Sequence, residues 1–467
     1  MDAGLFRYHV GVGLPLHLLL VFIGLWLSPS RVVAEAEAPT SAHITFASQD
    51  AQSFETLPPA QAKELLPDDL LKSDHHEVGS EATPDGWWYR YTVTSPFGVF
   101  EAWGEDMLRI RVHEAQALAK MEAEMSQPAA FGYGVLDTVM GPFKFLWGLV
   151  TEPKETLTGV PKGMKRVGAR VREMVMGERG KLEDGEGQEL LGYGGVKRTV
   201  AALVGVNVYS SNTVLQEQLD SLAAAGYSGA VGSRMALIPV SGPAGLALTT
   251  TSFSRAMNEM LLEYAPEDLR TINREILAGM GVRANVYEAF LAHPWYSPRH
   301  ETILVHALDE LNGVDDRSLL LQLAIQATSE EEALFVQRLV EMFASYHQTV
   351  VPLGEFILIA DRLLVGYTTD QALVAALPLP HVAWTQGLAE AAETVVNWTS
   401  RAHPIRRVEL WASGRLTQRA HDELEKRGVM IFENKRDRLL PPVIPEPLPI
   451  AEMRDDLEAS KRLTNPQ

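Results

Sequence analysis

From about residue 350 onward the hydrophobic period of the chain changes, and that change limits the fold more than any other feature. "EFILIAD", "LLVGYTT" and "ALVAALPL" are short apolar runs with strand character. A helical pattern over "TQGLAEAAETVVNW" then leads to "VELWAS", and a second one over "QRAHDELEKRG" leads to "VMIFE". Strand, helix, strand, helix, strand at short spacing demands crossover connections, so residues 349–437 are expected to form a small α/β domain with a parallel sheet.

Upstream the period is helical. Residues 131–348 read almost entirely as helices, most clearly in "SEEEALFVQRLVEMFASYH". There Ser329 and Glu332 have capping-box spacing, and Val336, Leu339, Val340 and Phe343 mark one face. Pro266 and Pro298 sit where a first helical turn tolerates proline. Before this region, "WWYRYTVTSPFGVFEAWGED" reads as a β-hairpin turning at Ser95–Gly98, followed by a helix, within residues 86–130. Residues 35–85 are polar and contain proline, and are expected to act as a linker with one short helix. Residues 438–467 begin Pro-rich and end charged. The expected class is α+β: a mostly helical middle region, a small N-terminal β-hairpin and a C-terminal α/β domain.

Two stretches of the middle region resemble each other. "AALVGVNVYS" (Ala201–Ser210) aligns without gaps on "EAFLAHPWYS" (Glu288–Ser297), pairing Tyr209-Ser210 with Tyr296-Ser297. A two-residue offset then brings Leu215, Leu219 and Leu222 onto Leu304, Leu308 and Leu311. Each copy reads as a short helix, an extended corner, an N-cap and a second helix with an apolar stripe. The cap is Ser211 or Asn212 in the first copy and Ser297 in the second. Read as a building block, each tyrosine packs at the corner between two helices. Read as a doubled site, Tyr209 and Tyr296 are paired ligand contacts. Two copies fall short of the roughly three that a solenoid needs.

Composition separates classes of function. At 467 residues the chain is long enough for two or three domains. Its net charge of −19 excludes a general nucleic-acid binder. Residues 1–34 read as a signal peptide: Arg7 and His9 precede the apolar run Val10–Leu27, and Val32-Val33-Ala34 or Ala34-Glu35-Ala36 offers a cleavage site. The expected location is periplasmic or secreted, with anchoring in the inner membrane by residues 10–27 as the alternative. The chain has no cysteine. Disulfides, thiolate metal sites and a cysteine nucleophile are therefore excluded, which suits a bacterial envelope better than a eukaryotic secretory route.

Catalytic signatures are missing from the sequence. "AGYSGAVGSRM" and "WASGRLT" set serine beside glycine without the Gly-x-Ser-x-Gly elbow, and no phosphate-binding loop or dinucleotide fingerprint occurs. Asp74-His75-His76-Glu77 are adjacent in sequence, and His300, Glu301 and His306 lack the i, i+4 pairing of two imidazoles on one helix face. The catalytic residues are accordingly unassigned, and no cofactor or metal is expected.

Two stretches carry candidate contacts. In "VPKGMKRVGARVREMV" an apolar stripe of Val160, Met164, Val167, Val171, Met174 and Val175 opposes Lys162, Lys165, Arg166, Arg170 and Arg172. That pattern fits a helix lying in an anionic membrane interface or against an anionic partner, and equally a helix packed on a core with its cations in water. In "VELWASGRLTQRAHDELEKRG" a strand ends at Ala412, and Thr417 can cap the next helix. Ser413, Gly414, Arg415 and Thr417 would form a ligand site at the strand's carboxyl end. The expected function is that of an exported, non-catalytic envelope module that binds a protein partner or an anionic membrane surface. The alternative is an exported hydrolase or small-ligand enzyme using the α/β domain.

Overall fold

A computed structural model describes residues 54–85, 87–126, 193–228, 257–258, 260–398 and 403–445. The chain is mixed α+β. Its first layer is an antiparallel sheet of β1 (Ala60–Gln61), β2 (Lys72–Ser73), β3 (His76–Val78), β4 (Glu81–Asp85), β5 (Trp88–Ser95) and β6 (Gly98–Trp103). The order is β1-β4-β5-β3-β2, with β6 on the free edge of β5. The hairpin expected at Ser95–Gly98 forms in that register. Along β5, Tyr89, Tyr91 and Val93 point inward while their neighbours do not, as the two-residue strand period requires. They pack on Met107, Leu108 and Val112 of α1 (Gly104–Ser126).

One expectation is corrected here. Within the segment read as a linker, residues 60–85 contribute four strands and two single helical turns, and Leu57, Leu66 and Leu70 are buried. Strands of two to five residues are too short to display a period, so only their pairing with β5 reveals them.

The helical region comprises α2 (Tyr193–Val204), α3 (Thr213–Ser228), α4 (Pro266–Gly279), α5 (Ala284–Leu291), α6 (Pro298–Glu310), α7 (Ser318–Ala324) and α8 (Glu330–Thr349). The two similar stretches are α2–α3 and α5–α6. Leu215, Leu219 and Leu222 on one copy, and Leu304, Leu308 and Leu311 on the other, are all buried. Asn212 Oδ1 accepts from the Val214 and Leu215 amides, and Ser297 Oγ accepts from His300 N, so each second helix is capped by its own corner. Ser329 caps α8 in the same way. Glu332 reaches back one residue further than a capping box prescribes, to the amide and hydroxyl of Thr328.

Helix α8 is the hub. Its apolar stripe is buried as expected, and so is its opposite face, including Gln337, Arg338 and Glu341. Leu334 joins the core under the N-terminal sheet, while Val336, Val340 and Phe343 join the helical core that runs on to Phe356, Val374 and Trp411.

The last unit holds β7 (Leu353–Ile359), β8 (Leu363–Thr368), β9 (Ala372–Leu377), β10 (His381–Val382), α9 (Gln386–Val396), β11 (Arg407–Ala412), β12 (Arg415–Leu416), α10 (Gln418–Lys426), β13 (Val429–Phe432) and α11 (Arg436–Leu439). Its five-stranded sheet has the order β13-β11-β9-β8-β7. Strands β9, β11 and β13 are parallel, as the crossover pattern demands, and β7, β8 and β9 form an antiparallel meander. Leu410 and Ala412 face α9 and α10, whereas Trp411 faces the α8 side. Helices on both faces explain why these strands read as nearly continuous apolar runs.

Candidate functional site

Three places in this frame gather polar or open surface, and the carboxyl end of the parallel strands comes first. Ser413, Gly414, Arg415 and Thr417 are brought together there, but their backbone is already engaged. Gly414 N donates to Leu379 O, Arg415 N to Pro380 O and Thr417 N to Val382 O, while Gly414 O accepts from Asn434 N. Leu416 N donates to the Glu433 carboxylate. Thr417 Oγ1 accepts from Ala420 N, capping α10, and donates to Glu55 Oε2 at 2.6 Å. The same carboxylate oxygen accepts from Trp384 N at 2.8 Å, and Glu55 N donates to Trp384 O.

The positive end of α10 therefore faces a carboxylate from the chain's own N-terminal segment. Glu55→Ala is expected to lower unfolding stability by about 1–2 kcal/mol, since it removes two hydrogen bonds to a charged acceptor. Urea denaturation of the full chain measures this, and an unchanged midpoint would show that the segment is not held by Glu55.

The second place is the set of buried charges among the helices. In the first repeat, Glu114 on α1 is 2% exposed. It accepts from Ser210 Oγ, from Asn212 Nδ2 at 3.0 Å and from Arg111 Nη1 at 3.0 Å. Arg111 also donates to Ser211 Oγ at 2.7 Å, and Ser211 donates to Glu330 Oε2 at 2.5 Å. Ser210-Ser211-Asn212 thus clamps α1 to the start of α8. Tyr209 is buried in the core of that copy.

In the second repeat, Tyr296 packs on Phe290 with ring centroids 5.0 Å apart. Burial pushes its hydroxyl well above the ordinary tyrosine value. The two tyrosines sit in separate cores, so they do not form one site. On α8, Arg338 bridges Glu341, Asp106 and the carbonyl of Pro441. Burial pushes Asp106 up, but Arg338 and Arg436 outweigh it and hold the carboxyl below its usual value.

His300 is buried and its imidazole is held down to about 4, mainly by desolvation, against the opposing pull of Glu330. Between that value and the 6.5 of a free imidazole, the unfolded chain binds more protons than the folded one. Stability present above pH 6.5 is therefore lost as pH falls toward 4, by about 2 kcal/mol between pH 7 and 5 for this group alone. Glu310, pushed up to about 7 by burial and by Glu341 and Asp309, works in the opposite sense. The His300 contribution is isolated by comparing urea midpoints of wild type and His300→Gln at the two pH values. The loss on acidification should be smaller in the variant; an equal loss would contradict a buried neutral imidazole.

Among the described residues no group of three or more histidines, cysteines or carboxylates could hold a metal ion. His76 bonds Ser73 Oγ at 2.7 Å and the Leu70 carbonyl at 3.1 Å.

The third place is a cleft in the α/β unit that sequence reasoning missed. It lies between α7 and α8 on one side and the β7–β8–β9 meander on the other, with a cavity volume of about 50 Å³, and is partly open to solvent. Leu319 and Leu323 line it from α7, Phe335 and Leu339 from α8, and Leu358 and Leu364 from the sheet. Residues 375–377 of β9 form its floor. Ala376, which shares the α8 side of the sheet with Trp411, stands where a larger residue would fill the space below α7. The cleft opens at the carboxyl end of β9, because β8 runs antiparallel to it and the β7–β8 tip falls at that end.

Two polar side chains, Gln322 and Arg362, complete the lining. Arg362 follows a tight turn in which Ala360 and Asp361 both adopt positive φ (51° and 55°) and Arg362 N donates to Ile359 O. Its Nη2 donates to Thr394 Oγ1 at 3.2 Å, and its Nε is buried without an acceptor. The sequence signal for the cleft was the small residue Ala376 inside "ALVAALPL", with the short helix "SLLLQLA", apolar on nearly every side.

The basic stretch with Lys162, Lys165, Arg166, Arg170 and Arg172 lies outside the described residues, as do residues 1–34. No helix of the described residues is long and apolar enough to cross a membrane. Comparison with protein-family models, with curated proteins and with solved structures finds no match to this chain.

Proposed function

We propose that this chain is an exported, non-catalytic binding module of the cell envelope that holds a small apolar ligand in the cleft between α7, α8 and the β7–β9 meander. The observation that carries the reading is the cleft itself, lined by nine apolar and two polar residues. The clamps at Glu114 and Arg338 support a scaffold role for the helical region, since their charged groups are spent on one another. Export and contact with an anionic surface rest on residues 1–34 and on the cations of residues 162–172.

Titration of the full chain with the neutral fluorescent probe 1-N-phenylnaphthylamine tests the cleft. Saturable enhancement is expected, and Leu358→Trp, which fills the cleft from a strand position that suits an aromatic, should abolish it. No enhancement, or full enhancement in the variant, would remove the cleft from the account. Flotation with anionic liposomes tests the surface contact separately. Changing Lys165 and Arg166 to Glu should release the protein from the lipid.

A further inference from the structure

We propose that Asn312 is a site of spontaneous covalent modification, where the backbone nitrogen of Gly313 displaces the side-chain amide and the chain ages to aspartate and isoaspartate. Asn312-Gly313 is the only asparagine in the chain that is followed by glycine. Both residues are exposed in the turn after α6, which Val314 N closes by donating to Leu311 O at 3.1 Å. Gly313 has a φ of 83°, the conformation a type II turn requires of its third residue. Nothing lies within 4 Å of the place a Cβ would take there. The carbonyl carbon of the Asn312 side chain is thus one residue from an unhindered nitrogen.

That nitrogen is also uncommitted: Gly313 N donates to no acceptor among the described residues. The other exposed asparagines of the described residues are Asn285, Asn397 and Asn434, and each precedes an engaged amide. Val286 N donates to Arg283 O, Trp398 N to Val395 O and Lys435 N to Ala412 O. An amide held in this way must give up its hydrogen bond before it can lose its proton and attack.

The step needs only hydroxide and water. Hydroxide takes the Gly313 N–H proton, the nitrogen bonds to Asn312 Cγ, and the Cγ–Nδ2 bond breaks to release ammonia. Water then opens the cyclic imide. Opening at Cγ leaves aspartate, and opening at the Asn312 main-chain carbonyl leaves isoaspartate, whose main chain runs on through Cβ and Cγ. Either product places a new negative charge beside Asp309 and Glu310, at the end of α6 where the helix dipole disfavours one. Isoaspartate also lengthens the backbone just ahead of two fixed points. Val314 is buried in the helical core, and Asp315 is tied to β7 through Gly354 O and Phe356 N. Modification therefore loosens the junction between α6 and β7.

The test incubates the full chain at mildly alkaline pH and follows each asparagine by peptide mapping, with an isoaspartyl methyltransferase as the label for the rearranged product. Asn312 is expected to convert about five- to tenfold faster than Asn285, Asn397 or Asn434, the effect on the barrier of one hydrogen bond that need not be broken. Conversion should quicken as pH rises. Asn312→Gln, whose longer side chain does not close the same ring, should remove the signal from this turn. The urea midpoint of aged protein should fall below that of fresh protein, with Asn312→Asp, which carries the charge without the extra carbon, between the two. Conversion of Asn312 no faster than that of the other three overturns the assignment. A midpoint unchanged after conversion overturns the loosening of the α6–β7 junction.

Discussion

Gly414→Ala is expected to destabilise the protein by about 4 kcal/mol, in the exceptional range for a single methyl group. A Cβ at this position would lie 1.9 Å from the Pro380 carbonyl oxygen, 2.3 Å from its carbon and 2.4 Å from the Pro380 Cα. All three are backbone atoms, so no side chain can rotate away. The backbone cannot drift apart either, because Gly414 N, Arg415 N and Asn434 N bind both strands across this corner and β10 pairs with β12 beside it. Gly428→Ala is the control. Its φ of 76° disfavours alanine, yet nothing lies within 4 Å of the new Cβ, so it should lose only about 1–2 kcal/mol from backbone strain. Urea denaturation measures both. A Gly414→Ala loss no larger than that of Gly428→Ala would mean that β10 and β12 are not packed as described.

The second large effect lies on α8. Arg338→Met should lower stability by about 3–5 kcal/mol, because it strands carboxylates that the guanidinium now satisfies. Arg338 is 2% exposed, donates to Glu341 Oε2 at 2.6 Å and to Pro441 O at 2.8 Å, and stands 3.3 Å from Asp106. Asp106 keeps Arg436 in the variant, so Glu341 bears most of the damage. Burial already pushes the Glu341 carboxyl above its ordinary value, against Arg338 and Gln337. The double variant Arg338→Met with Glu341→Leu removes the stranded charge and should recover more than half of the loss, as replacement of a buried ion pair by apolar side chains often does. Additive losses in the double-mutant cycle would show that Arg338 and Glu341 do not act as a pair.

These two sites also mark how far the sequence could be read. The hairpin at Ser95–Gly98, the crossovers of β9, β11 and β13, and the caps at Ser297, Ser329 and Thr417 were legible because each rests on a local rule of spacing or side-chain reach. The α2–α3 and α5–α6 corners were legible for the same reason, down to their buried leucines. Arg338 and Glu341 were not. A polar face on an amphipathic helix looks solvated until three neighbours are known to cover it, and those neighbours come from residues hundreds of positions apart in places. Strands β1 to β4 escaped because two to five residues cannot show alternation. Gly414 read as part of a ligand turn at a strand end, and only the proximity of Pro380 makes it obligatory.

The cleft was the hardest to see, since it is a volume left unfilled above Ala376 and not a motif. It appears only when α7, α8 and the meander are assembled around that alanine.

Methyl-detected NMR titration of the full chain with the neutral probe 1-N-phenylnaphthylamine locates any ligand directly. The largest shifts should fall on Leu319, Leu323, Leu358 and Leu364 around the cleft. Methyl groups of Leu388, Leu410 and Leu424, on the opposite face of the sheet beside the Ser413–Thr417 turn, should stay in place. Shifts centred on that opposite face, or none at either, would contradict the binding reading.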